Sequence, residues 1–192
     1  DSCSYKNKAR IYWFPLRLEA YKKLADLDGL DSFSRFALKV LDAHDPFIEM
    51  IAEAYTELKE YKKAAQIYEL LHLINRESLS VRMQLAWLYH MSEAPGKALA
   101  ILAPIKELPL PGIMLKAAAH RQRGENDKSL KIYQDAEKNA FSGQEPIELA
   151  GDFFLMYAFA AESLGNLELC LEKLRKAYSI NPENPSICNA LG

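Results

Sequence analysis

Residues 48–68 read IEMIAEAYTELKEYKKAAQIY, and residues 82–102 read RMQLAWLYHMSEAPGKALAIL. Laid one under the other, they place Ile51-Ala52 on Leu85-Ala86, Tyr55 on Tyr89 and Ala64 on Ala98, each pair 34 residues apart. A third copy runs through Ile113, Ala117, His120, Gly124, Ser129, Tyr133 and Ala136. A fourth runs through Phe154, Tyr157-Ala158, Ala161, Gly165, Cys170, Leu174, Ala177 and Pro182, and a fifth opens with Cys188 and Leu191-Gly192. Each copy holds two runs at helical spacing separated by a short turn, which predicts a chain of antiparallel helix pairs.

The small residues set the register. Ala52, Ala86, Ala117, Ala158 and Gly192 fall 34, 31, 41 and 34 residues apart, and Ala64, Ala98, Ser129 and Cys170 keep the first three of those intervals. The reason is steric. Two antiparallel helices approach closely only where small side chains face each other, and large residues such as Tyr55, Tyr68, Tyr89 and Tyr133 then fill the space between neighbouring pairs.

Over roughly residues 45 to 192 these positions resemble the tetratricopeptide repeat, whose period is about 34 residues. The resemblance implies an all-α fold, a right-handed α-α superhelix of antiparallel helix pairs. It divides the chain into an N-terminal hairpin at 1–44, a degenerate repeat or a cap, and an array at 45–192 of four full repeats plus the start of a fifth. The pattern is broken in places: Lys116 stands where leucine is usual, Arg82 where a large apolar residue is usual, and Leu110 where the closing proline would fall, flanked by Pro109 and Pro111. The short second interval predicts a compressed turn at Leu108 to Gly112. The long third interval predicts a longer second helix or a protruding loop around Ser142 to Glu148.

In the N-terminal part, Leu16 to Leu27 and Phe33 to Ala43 read as amphipathic helices with Gly29 between them. A solenoid must hide the apolar face at its end, so a capping hairpin fits there. The segment Tyr12-Trp13-Phe14-Pro15 is the most aromatic in the chain and either packs on that hairpin or meets a partner or second copy. At the other end Asn181-Pro182-Glu183-Asn184-Pro185 reads as a turn, and Ser186 as the N-cap of a last helix carrying Ile187 and Leu191. A half-repeat cannot bury its own face. The chain is therefore expected to be a fragment of a longer array, or to pack that end on another molecule, self-association included.

Composition bounds the function. With 24 Lys+Arg against 26 Asp+Glu and a net charge of -2, no basic excess favours a nucleic-acid backbone. No apolar run approaches the roughly 18 residues of a membrane span. Position 1 is Asp, so the missing leader pattern says nothing about compartment. The three cysteines, Cys3, Cys170 and Cys188, are scattered and make no metal-ligand spacing, which leaves free or buried thiols; Cys3 as a lipid anchor needs a leader removed just before it. His44, His72, His90 and His120 lie in different repeats and pair with no nucleophile. His120 replaces a core tyrosine and reads as a packed histidine; His72 reads as surface or packing. No phosphate loop, zinc motif or nucleophile elbow is present, so the sequence implies no cofactor and no enzyme. The charged run Glu57 to Lys63 reads as solvated helix ends.

The resemblance further implies that the first helices of successive repeats line a concave groove. Residues one position beyond the inward-facing ones point into it. These are Glu49, Glu53 and Thr56; Met83, Trp87 and His90; Met114, Ala118 and Arg121; Leu155, Phe159 and Glu162. The groove is expected to be apolar through Met83, Trp87, Met114, Leu155 and Phe159 and acidic on the wall of Glu49, Glu53 and Glu57, unless these residues are covered within the molecule. Met and aromatic side chains suit a helical or extended peptide, and Trp87 is the leading anchor candidate. The acidic wall repels a peptide carboxylate. The expected function is a protein–protein interaction scaffold binding a partner with apolar anchors. Two alternatives are a secretion-type chaperone shielding an apolar client segment and the docking or regulatory part of a larger enzyme. The closing Asn-Pro-Glu-Asn-Pro and Asn189-Ala190-Leu191-Gly192 resemble long bacterial arrays of the family, many of them envelope or secretion proteins.

Overall fold

The structure, a computed structural model, describes residues 2–41, 46–141 and 143–192, with side chains from Trp13 onward except at position 40. The side chain of Cys3, His44 and Ser142 therefore lie outside the described residues, as does the expected boundary at 44–45. The described residues form helices and no strand: α1 (Ser2–Leu24), α2 (Leu27–Val40), α3 (Phe47–Glu57), α4 (Tyr61–Ile74), α5 (Leu79–Met91), α6 (Pro95–Leu102), α7 (Leu110–Gln122), α8 (Asn126–Asn139), α9 (Ile147–Glu162), α10 (Leu167–Ile180) and α11 (Pro185–Leu191). They make two compact units, Asp1–Ser92 and Glu93–Gly192. The architecture is an all-α array of helix hairpins, as the repeat pattern requires.

One backbone motif recurs at each hairpin turn. Residues with left-handed φ stand at Ala25 (φ 50), Lys59 (φ 62), Glu93 (φ 60), Gly124 (φ 74) and Gly165 (φ 72), spaced 34, 34, 31 and 41 apart. Just after four of them an amide closes back on the preceding helix: Asp26 N to Tyr21 O at 3.0 Å, Glu60 N to Tyr55 O at 2.8 Å, Glu125 N to His120 O at 3.0 Å, Asn166 N to Ala161 O at 3.0 Å. This 6→1 closure satisfies a carbonyl the helix end would leave bare. The N-terminal hairpin is thus built on the same turn as the others. It differs in its contact residues: counting back 34 from Ala52 and Ala64 gives Leu18 and Leu30, only 2% and 0% exposed.

The small-residue series are core positions. Ala52, Ala64, Ala86, Ala98, Ala117, Ser129 and Ala158 are all 0% exposed and Cys170 7%. Each lets a neighbouring helix in close, where a larger side chain would overpack. In unit 1, α3 packs on α4, α4 on α5, and α1 on α3. Phe14 is buried and meets Phe33 and Phe47 edge-on at 5.0 and 5.6 Å, while Trp13 beside it is 64% exposed. The aromatic segment therefore splits, one ring to the core and one to solvent. In unit 2, α7 packs on α8, and α9 on α10. Its centre is an aromatic group in which Phe153, fully buried, touches Tyr133 at 5.6 Å, Phe141 at 5.3 Å and Phe154 at 5.0 Å. Burying such a ring is worth about 2–3 kcal/mol.

Several boundaries depart from the sequence reading. Gly29 does not separate α1 from α2; it lies in the first turn of α2, where its amide donates to the Asp26 N-cap carboxylate at 2.9 Å. A Cβ there would stand 2.6 Å from the Tyr21 ring, so the residue is glycine for closeness of approach. Helix α1 continues through Pro15, which gives up one amide donor to do so. Leu110 to Gly112 is the first turn of α7 rather than a compressed loop; Pro111 is tolerated there because first-turn amides have no helical partner. The short second interval is absorbed by α6, only 8 residues against 14 in α4, α8 and α10. In the third interval α8 keeps its 14 residues, and the surplus goes into the segment after it and into α9, 16 residues long. Asn184, not Ser186, caps α11: its side chain accepts from the Ser186 amide at 2.9 Å, with Pro185 in the first turn. Lys116 is exposed, and Arg82 lays its stem inward and reaches Glu77 at 3.3 Å.

Candidate functional site

The expected groove residues fall in two sets, one in each unit. In unit 1, Glu49 and Glu53 project from α3 and are exposed. Their charge is felt nearby: burial first, then these two carboxylates, push the Tyr68 hydroxyl up to about 12. Glu53 also borders a cavity of about 310 Å³ between α1 and α3, whose apolar wall is Leu16 and Met50. Neither Leu16 nor Met50 was marked by the one-residue offset, because that offset treats each helix alone and this cavity needs α1 beside α3. Glu57 is not a free member of the acidic wall; it accepts from Lys22 of α1 at 2.9 Å.

Met83, Trp87 and His90 line one side of α5 and are half-buried. The Trp87 ring stands at 87° to Tyr61 of α4, centroids 5.7 Å apart. An edge-to-face pair of this kind fixes the indole in one orientation and leaves part of it accessible. Tyr61 lay inside the run read as solvated helix ends. Lys63 from the same run binds Asp31 of α2 at 2.8 Å, so this stretch makes tertiary contacts as well as meeting water.

In unit 2, Met114 and Arg121 of α7 and Phe159 of α9 are half-buried. The Arg121 guanidinium lies over the Phe159 ring at 6.0 Å, which joins two expected residues in one cation–π contact. Met114 and Phe159 also pack against the core. Leu155 is different: it is 2% exposed and belongs to that core, so it offers no area to a partner. Its neighbours Phe154 and Ala158 are buried too, because α9 is enclosed over a wider arc than the other first helices. His120 is the packed histidine expected, its Nδ1 2.6 Å from Glu125 Oε2. That hydrogen bond, then the one from Lys128, holds the Glu125 carboxyl below its ordinary range. Cys170 is buried and Cys188 exposed, both as free thiols. Among the described residues no helix is long and apolar enough to cross a membrane.

No family model matches the sequence, and no curated protein matches it. Solved structures do match. YrrB, described as a TPR protein with an unusual peptide-binding site, superposes with a TM-score of 0.64 at 19% identity over 99% of this chain and 96% of its own. A thermophilic TPR protein from Thermus thermophilus gives 0.64 at 18% identity, covering 93% of this chain and 98% of that one. A tetratricopeptide repeat protein from Parabacteroides merdae gives 0.60 at 16% identity, over 93% and 68%. At such identities the likeness is one of fold.

Proposed function

Because the chain has the tetratricopeptide-repeat fold, we propose that it is a non-catalytic protein–protein interaction scaffold that holds a peptide or helix by apolar anchors on its first-helix faces. The observation that carries the reading is the Trp87–Tyr61 pair: an oriented, partly open indole on α5 is the kind of side chain that dominates binding energy at interfaces. Arg121 over Phe159 supplies a comparable patch in unit 2. Met83 and Met114 add deformable apolar surface beside these patches. Exposed Glu49 and Glu53 favour a partner with basic residues flanking its anchors and disfavour a free carboxylate. YrrB carries a peptide-binding site, and a peptide is the partner class carried over from it.

The test is affinity capture with the wild type, Trp87→Ala and Phe159→Ala, followed by titration of the recovered partner with each purified protein. At least one variant should bind about tenfold more weakly or worse, while its helical circular dichroism is unchanged. Equal affinity across all three proteins means the first-helix faces are not the binding surface.

A further inference from the structure

A second cavity in unit 1, about 620 Å³, lies between α2 and α4, with Tyr55 of α3 also lining it. Its meaning comes from comparison with the corresponding place in unit 2. Counting three and six residues from the small residues Ala64 and Cys170 gives Ile67 and Leu70 in α4, and Lys173 and Lys176 in α10. Counting one residue beyond the buried alanines Ala37 and Ala136 gives Leu38 in α2 and Glu137 in α8. In unit 2 these three positions close on each other: Glu137 accepts from Lys173 and Lys176, both at 2.8 Å. The two ammonium groups also sit over Tyr157 at 4.8 Å and Phe154 at 4.1 Å. In unit 1 the same three positions are Leu38, Ile67 and Leu70, and they line an open cleft. The cleft has the size and the mixed apolar and polar lining of a ligand site, and Leu70 is 44% exposed.

The charges at the cleft select the occupant. Asp31 is satisfied: Lys63 binds it at 2.8 Å and the Tyr55 hydroxyl donates to it at 2.7 Å. Glu69 accepts from the Tyr89 hydroxyl at 2.6 Å. Arg35 is exposed, donates its Nε to the Asp31 backbone oxygen at 3.3 Å, and adds its charge to the lowering of the Asp31 carboxyl. Of the two anions and two cations that line the cleft, Arg35 is the exposed one, and its guanidinium is the planar fork that suits a carboxylate.

We infer that the cleft between α2 and α4 is a docking site for an acidic peptide segment, whose aliphatic side chains occupy the space between Leu38, Ile67 and Leu70 and whose carboxylate meets Arg35. It stands apart from the Trp87 surface and does not depend on it.

The probe is a fluorescein-labelled helical peptide of alanine with leucines at i and i+4 and glutamates beside them. A companion peptide carries lysine in place of glutamate. Fluorescence anisotropy is measured with the full chain. The key variant is Leu38→Glu/Ile67→Lys/Leu70→Lys, which transplants the ion-paired set of unit 2 and so has a precedent for folding. The wild type should bind the acidic peptide saturably. The triple variant should weaken it by about tenfold or more, and Arg35→Gln, an exposed substitution, by roughly fivefold, with added salt weakening the wild type too. The lysine peptide should bind more weakly than the acidic one. No saturable binding by the wild type, or equal binding by both variants, overturns the inference. So does a lysine peptide that binds as well as the acidic one. If Trp87→Ala loses the acidic peptide while the triple variant keeps it, the peptide sits on the Trp87 surface and the cleft is not its site.

Discussion

The two units join neighbouring hairpins by different chemistry. In unit 1, phenols and carboxylates do it: Tyr55 donates to Asp31 at 2.7 Å, Tyr89 donates to Glu69 at 2.6 Å, and Lys63 crosses from α4 to Asp31. In unit 2 the centre is ring on ring around Phe153, sealed by Glu137 with Lys173 and Lys176. The same hairpin, with the same turn, accepts both. What differs is whether the outer position of each second helix is apolar or charged. Apolar side chains at those places leave space that another molecule can enter, and paired charges consume it. Unit 1 is therefore the better candidate for partner contact, and unit 2 the better anchored body.

The sharpest way to break this contrast is to hollow the aromatic centre. Phe153→Ala should cost about 4 kcal/mol, seen as a lower urea midpoint by circular dichroism, whereas Phe14→Ala in unit 1 should cost nearer 3 kcal/mol because its ring meets the core on fewer sides. If the two costs are reversed, unit 2 is not the anchored one.

A smaller effect comes from the carboxylates. Burial pushes Glu137 up, but the hydrogen bonds from Lys173 and Lys176 outweigh it and hold it below its ordinary value of 4.5. The hydrogen bond from Lys63, above all, lowers Asp31. A carboxyl whose folded pKa lies below the unfolded one stabilises the fold above the unfolded value and loses that contribution as pH falls through the folded one. Near neutral pH Glu137→Gln should cost about 2 kcal/mol, since it leaves the buried Lys173 ammonium with only the exposed Glu172 as a charged partner. Asp31→Asn, in a more solvated place, should cost about 1 kcal/mol. Melts from neutral pH down through and below pH 4.5 should show the Glu137→Gln gap closing on the acid side; a gap constant with pH rules the pair out as its source.

The smallest effects run the other way. Ser129 holds the place that Ala64 holds in unit 1, and its buried hydroxyl has no hydrogen-bond partner among the described residues. Ser129→Ala should stabilise by about 1 kcal/mol in thermal melts. Unit 1 makes its turns with Ala25 and Lys59, whereas the α7–α8 and α9–α10 turns of unit 2 have Gly124 and Gly165. Lys59→Gly should therefore raise stability by roughly 0.5 kcal/mol, while Gly165→Ala should lower it by about 1 kcal/mol. Equal and opposite results would show that the left-handed position is not under strain.

Much of this fold is legible in the residues because its constraint is local and repeated. Ala52 and Ala64, and Ala117 and Ser129, each mark a close helix approach, and a closely packed hairpin has only one place for a small side chain. The N-terminal hairpin was legible as two helices but not in its repeat register, because Leu18 and Leu30 stand where the small residues should be, although its turn keeps the spacing. The candidate site was half legible. The offset rule picked out Trp87, Arg121 and Phe159, which are half-buried, but it placed Leu155 on the surface because it treats every helix as equally enclosed. It could not find Tyr61 against Trp87, or Asp31 under Tyr55 and Lys63, since those partners are chosen by how neighbouring helices lean.

By itself the sequence determined the all-α hairpin array, its register and its near-balanced charge, because periodic side chains and small-residue spacing act within a few turns of helix. Only the tertiary structure decided which charges pair, which of the first-helix residues are covered, and that α2 and α4 leave a cleft where α8 and α10 close one. Those outcomes depend on angles and separations between helices tens of residues apart in sequence, set by the packing of many side chains at once rather than by any one segment.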